Sequence, residues 1–122
     1  MYVYILLILL INKLILQAEV YANIGAIHAM KGERIKAKDA LKEATKYRPS
    51  LGSAWVNIAL LIMAEGKEMG NTPSDQAKVK DILKEARQCC ERALGMDNDD
   101  EKSRALANKL LGDIDSMMRQ IN

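Results

Sequence analysis

The side chains that most often do chemistry in proteins are scarce in this sequence. It has one histidine, His28, and two cysteines, the neighbours Cys89 and Cys90. Catalytic triads and metal sites need several such groups held close together. The sequence also lacks the glycine-rich phosphate-binding motifs and the hydrolase and zinc-protease motifs. It therefore predicts no catalytic residue, no metal ligand, no cofactor and no small-molecule substrate, so we do not expect an enzyme.

The histidine and the cysteines are better explained by packing. Adjacent residues of a helix point in different directions, and adjacent cysteines rarely meet disulfide geometry. We therefore expect Cys90 in the core and Cys89 as a partly exposed free thiol, which is typical of a reducing compartment. No Cys, Asp or second His shares the helix face of His28, so we expect it to be a packing residue.

Two asparagines are the best candidates for binding. Asn23 follows Tyr21 by two residues, and Asn57 follows Trp55 by two, so the two pairs lie 34 residues apart. An amide side chain donates and accepts hydrogen bonds, so it can pair with the backbone of any extended peptide. The alternative is that both are solvated helix residues with no ligand.

The composition favours one folded helical domain. Of the 122 residues, 49% are hydrophobic and 28% are charged, while aromatic residues make up 4%. Ala, Leu, Lys, Glu and Met are strong helix formers, and the sequence has only two prolines. The net charge of +2 is too small to indicate a nucleic-acid partner. These values predict an all-α chain.

Glycine and proline divide the chain into five predicted helices. The first runs from about Tyr2 to Met30, because no Gly or Pro occurs before Gly25. The others are expected over 34–47, from a Ser50 or Ser53 cap to about residue 66, from a Thr72 cap to about residue 94, and over 103–120. The segment between the third and fourth helices contains Gly, Asn, Thr and Pro and is predicted to be a loop.

A 34-residue period relates the first two helices to the third and fourth. Landmark residues of the first unit recur at this offset in the second. The coincident pairs are Tyr21 and Trp55, Ile24 and Ile58, Gly25 and Ala59, and Gly32 and Gly66. Together with Ala37, Leu41, Ala44 and Pro49, these residues resemble the signature of the tetratricopeptide repeat. The resemblance implies a short α-solenoid of antiparallel helix pairs.

The second repeat departs from the family pattern. Its small–large–small helix residues, Ala86, Cys90 and Ala93, come 15 residues late, which implies an insertion over roughly 67–80. Asn98 stands where the terminal proline is usual. The predicted domains are an apolar segment over 1–17 and a repeat domain over 18–122. The domain comprises repeat 1 (18–51), repeat 2 with its insertion (52–98) and a capping helix (99–122).

The resemblance also places Asn23 and Asn57 on the concave, partner-binding surface. Some members of the family hold a chaperone's C-terminal carboxylate with a clamp of lysine, asparagine and arginine. Here Ala22 and Ala26 occupy the first lysine and asparagine places, so binding of chaperone tails is disfavoured.

The first sixteen residues contain only two polar side chains, Asn12 and Lys13. A helix that is apolar on every face must be covered by lipid or protein. Three interpretations compete: a signal peptide, which lacks a basic start and a cleavage site; a membrane contact; and burial against another protein. The predicted anchor residues are Tyr4, Leu7, Leu10 and Leu14.

Together, these features predict a non-catalytic interaction or scaffold module. It would be an adaptor, assembly factor or accessory subunit of a larger membrane complex, with protein subunits as partners and membrane contact through 1–17. The protein would be associated with a membrane, for which an organelle membrane is one candidate. Its repeat domain would lie in a reducing aqueous compartment. The alternative is a structural subunit of a soluble assembly, whose apolar helix is buried against another protein.

Overall fold

A computed structural model describes residues 2–95 and 100–121 of the chain. These residues form five α-helices and no strand, so the all-α prediction is confirmed. The helices are α1 (Tyr2–Met30), α2 (Arg34–Tyr47), α3 (Gly52–Lys67), α4 (Pro73–Gly95) and α5 (Glu101–Gln120). Asn98 and the predicted boundary between the second repeat and the cap lie outside the described residues.

A tight turn reverses the chain between α1 and α2. Gly32 has φ +78°, a left-handed conformation that glycine adopts without strain. The backbone N–H of Glu33 donates to the carbonyl of His28 at 2.9 Å and closes the turn. The helices then run antiparallel, and the rings of Tyr21 and Tyr47 stack with centroids 5.5 Å apart.

The close approach of α1 and α2 depends on Gly25. A Cβ at this position would lie 2.8 Å from Cγ of Leu41 and 3.1 Å from the carbonyl oxygen of Ala37. Gly25 and Ala18 are the two buried residues of α1, and Ala37 is fully buried on α2. Small residues on both helices therefore allow their backbones to pack closely.

The predicted helix caps have different outcomes. Thr72 caps α4 as expected, because its Oγ1 accepts from the backbone N–H of Asp75 at 3.1 Å. At α3 the serine caps were wrong: Leu51 holds the cap position and makes no side-chain capping bond. The last helix begins two residues earlier than expected, because Asp100 Oδ1 accepts from the N–H groups of Lys102 and Ser103.

The core is centred on α3. Half of its 16 residues are buried, because it contacts α2, α4 and α5. The largest fully buried side chains of the described residues come from α3, α4 and α5: Ile58, Ile62, Leu83, Ile114, Val56 and Cys90. The segment predicted as an insertion is shared by the end of α3, a short loop and the first two turns of α4.

Polar contacts join the helix pairs at both ends. Arg34 of α2 pairs with Glu68 at the end of α3, and Arg87 of α4 pairs with Asp115 of α5. The guanidinium carbon of Arg92 lies 4.8 Å from the centre of a Trp55 ring. Exposed ion pairs of this kind contribute little to stability, so apolar packing holds the pairs together.

Candidate interaction surfaces

The first four turns of α1, Tyr2–Gln17, form an apolar surface that the rest of the described chain leaves uncovered. We term this stretch the apolar rod. The predicted anchor residues are all exposed, by 72% at Tyr4, 48% at Leu7, 54% at Leu10 and 38% at Leu14. Helix α1 is long and apolar enough to cross a membrane, and 6% of its most apolar window is buried. It is therefore not a core helix, although a signal sequence near the N-terminus meets the same criterion.

The fold limits how much of α1 is available to lipid. From Ala18 onward one face of α1 packs on α2, which is rich in charged residues. The uncovered stretch Tyr2–Gln17 rises about 24 Å, against about 30 Å for the hydrocarbon core of a bilayer. The folded domain therefore begins where a membrane segment of α1 would have to end.

The two candidate asparagines lie on exposed helix faces. Asn23 is on α1 and Asn57 is on α3, the first helix of each predicted pair. Within the described part of the chain, neither amide makes a hydrogen bond. Two residues before Asn57, Trp55 is fixed by a hydrogen bond from its Nε1 to the carbonyl of Pro49 at 2.9 Å, and it points to a different side of α3. The Asn57 amide is open to a ligand.

A groove of about 560 Å³ runs along α1 from the apolar rod to the half of the helix that packs on α2. Its apolar lining comes from Leu9, Leu16, Val20 and Ile24. Three polar residues of α1 also line it: Asn12, Lys13 and Gln17. This groove was not predicted from the sequence, because all of its residues belong to a single predicted helix.

A second groove, of about 690 Å³, lies where the turn between α1 and α2 meets the end of α3. Arg34 pairs there with Glu68, and Nζ of Lys38 lies 3.9 Å from Glu65 Oε2. Ile35 stands beside them and is 77% exposed. Because these charges pair with each other, the groove offers little free charge to a ligand.

His28 is half-buried at the end of α1. Its Nδ1 is buried, makes no hydrogen bond to a described residue, and lies 3.6 Å from Glu33 Oε2. A hydrogen bond from Lys36 is the main cause that lowers the pKa of Glu33, with smaller contributions from the charges of neighbouring residues. No three His, Cys, Asp or Glu side chains of residues 2–95 and 100–121 are grouped to hold a metal ion.

Both cysteines are buried, so the expectation of a partly exposed Cys89 was wrong. Helix α4 is covered by both α3 and α5, and this leaves neither of the adjacent positions on the surface. Burial raises the pKa of Cys90 to about 11, with the neighbouring Cys89 adding to the shift, and burial also raises the pKa of Cys89. Both thiols are therefore protonated at neutral pH and poorly reactive.

No model of a known protein family matches the chain, and no curated protein matches it. The interpretation of these surfaces therefore rests on the residues and contacts of this chain.

Proposed function

We propose that the protein is a non-catalytic interaction module that α1 attaches to a membrane complex as an adaptor, assembly factor or accessory subunit. One observation carries this proposal. The exposed apolar rod Tyr2–Gln17 and the packed stretch Ala18–Met30 are one uninterrupted helix. An uncovered apolar rod has no stable place in water, so this protein functions next to lipid or other proteins.

The helix packing supports a tetratricopeptide-like arrangement of the domain. Helices α1 and α2 pack closely at Gly25, and α3 contacts α4 in the same order along the chain. At the corresponding positions of the second pair, Ala59 and Ala86 are fully buried. Small residues at both contacts are what the 34-residue signature requires.

The open amides support a role in holding a peptide. In the proposed arrangement, Asn57 and Asn23 contribute to the concave surface. An extended segment of a partner would donate to and accept from the Asn57 amide.

The attachment can be tested by placing charge on the rod. We expect the double variant Leu7→Lys, Leu10→Lys to leave the membrane fraction, because each lysine in the centre of an apolar segment costs about 3 kcal/mol of insertion free energy. The wild-type full chain should resist carbonate extraction and float with liposomes.

The matched control is Ala26→Lys, Ala29→Lys, which places the same charge at exposed positions on the packed half of α1. We expect this control to remain with the membrane. Release of the wild-type chain by carbonate, or retention of the Leu7, Leu10 variant on liposomes, would contradict a lipid anchor.

The peptide-binding role makes a separate prediction. We expect Asn57→Ala to lower the affinity for a subunit that co-purifies with the tagged full chain about tenfold, as expected when hydrogen bonds to a peptide backbone are lost. Titration of the purified partner should show this loss while the variant stays in the membrane fraction. The control is Lys80→Ala, an exposed substitution on α4, which should bind normally; equal affinity for Asn57→Ala and wild type would refute the role.

One observation favours the alternative of a soluble assembly. The apolar surface does not stop at Gln17: Val20, Ile27 and Met30 are 54%, 52% and 87% exposed on the packed half of α1. Lipid that covers the rod does not reach these positions, so a protein contact has to cover them. If the chain stays with its assembly after carbonate treatment releases it from lipid, the rod is a protein-binding helix.

A further inference from the structure

The face of α1 opposite α2 carries a seven-residue pattern along the whole helix. Nine exposed positions recur at alternating steps of four and three residues, and seven of them are apolar. They form what we term the α1 seam: Tyr2, Leu6, Leu9, Lys13, Leu16, Val20, Asn23, Ile27 and Met30. This spacing is that of the a and d positions of a coiled coil.

The second half of the seam distinguishes it from a general apolar surface. After Leu16 the helix is amphipathic, and polar residues such as Gln17 and Glu19 lie between the seam positions. The buried residues Ala18 and Gly25 face α2 on the other side of the helix. The seam is therefore a second contact face, free of the intramolecular contact with α2.

We propose that α1 pairs along this seam with a second copy of the chain, as a parallel two-stranded coiled coil. The residue types support two strands: two of the four a positions, Val20 and Ile27, are β-branched, and two of the five d positions, Leu9 and Leu16, are leucines. This combination favours parallel dimers over trimers or tetramers.

The polar residues of the seam match only in one register. In a parallel pair each residue meets its counterpart, so the amide of Asn23 donates to and accepts from the same amide of the second copy. A shift by one heptad would place Asn23 against Leu16 or Met30, where its hydrogen bonds would be lost. Of the two polar seam residues, Lys13 is at an a position, where a single polar residue is known to fix register at some cost in stability.

Lys13 is compatible with the same arrangement. It is exposed and lies just over one turn before Ala18, the first buried residue of α1. Its aliphatic stem can cover the neighbouring leucines while its ammonium group points away from the seam towards water. Because α2 packs on the opposite face, the second copy can approach α1 without displacing it.

This inference goes beyond the proposed function and depends neither on lipid nor on the repeat resemblance. It assigns an occupant to the apolar surface that continues past Gln17. In the dimer Asn23 lies within the interface, so the pairing replaces the peptide-binding role proposed for Asn23 and leaves Asn57 as the candidate amide open to a peptide.

Cysteine cross-linking of the full chain tests the pairing. In detergent micelles, mild oxidation should convert most of Ile27→Cys into a covalent dimer. Ala29→Cys, an exposed position off the seam two residues away, should cross-link about tenfold less, because the c position of a coiled coil faces outward. The wild-type chain should form almost none, since Cys89 and Cys90 are buried.

The mass of the uncross-linked protein gives an independent measurement. By analytical ultracentrifugation the full chain should be a dimer, and Ile27→Asp should raise the dissociation constant about 100-fold, while Ala29→Asp should leave it unchanged. A monomeric wild type or equal cross-linking at both positions would overturn the proposal. So would an Ile27→Cys chain that cross-links only when mixed with Leu9→Cys, because antiparallel helices would pair these two positions.

Ile27→Asp leaves the rod intact, so its membrane fractionation separates failure of the dimer from failure of the anchor.

Discussion

Replacing Gly25 by valine is expected to lower the free energy of unfolding by about 3 kcal/mol. The new Cβ would lie within 3.1 Å of both Leu41 and the backbone carbonyl of Ala37, so α1 and α2 would have to move apart. Urea unfolding in detergent, followed by the fluorescence of the single tryptophan Trp55, measures the loss. Hydrogen exchange should also show weaker protection over residues 18–30.

Gly112→Ala is the matched control for this substitution. Gly112 is exposed inside α5, and a Cβ there would meet no atom within 4 Å. Alanine is the better helix former, so this variant should gain about 0.5–1 kcal/mol of stability. If Gly25→Val is as stable as the wild type, the close packing of α1 on α2 is refuted.

Leu83→Ala is expected to cost about 3–4 kcal/mol of unfolding free energy. Leu83 is fully buried on α4 and belongs to the core that α4 shares with α3 and α5. Removing its side chain would leave a cavity that the packed helices can fill only in part. The loss should appear as a lower urea midpoint with an unchanged dependence of the free energy on urea concentration.

Leu60→Ala provides the comparison for Leu83. Leu60 is on α3 and is 39% exposed, so its truncation should cost about 1 kcal/mol or less. If both variants lose the same unfolding free energy, the face of α4 that carries Leu83 is not the one packed in the core.

Much of the helical framework could be predicted from local signals. Gly32 and Pro49 end α1 and α2 near the predicted residues because one adopts a positive φ and the other removes a backbone donor. Thr72 and Pro73 fixed the start of α4 in the same way. These signals act within one turn of the chain and need no tertiary context.

The features that were missed depend on contacts between distant residues. Cys89 was expected to be partly exposed because adjacent helix residues point in different directions, but α4 is covered by α5 as well as by α3. The α1 seam has no clear signal in the sequence because residues 2–11 are apolar at every position. Only the packing of Ala18 and Gly25 on α2 shows which of its faces remains open. The binding roles of Asn23 and Asn57 stay predictions, since exposure alone does not identify a ligand.

The continuity of α1 has a mechanical consequence. A domain joined to an anchor by a loop can swing and change its height, but α1 has no break between Tyr2 and Met30. In the proposed attachment, any tilt or rotation of Tyr2–Gln17 would therefore move Asn57 and the rest of the domain by the same angle. Since Ala18–Met30 rises about 18 Å, the binding surface would be held in a thin layer next to the attachment point. A partner would have to present its segment within that layer, in a fixed direction.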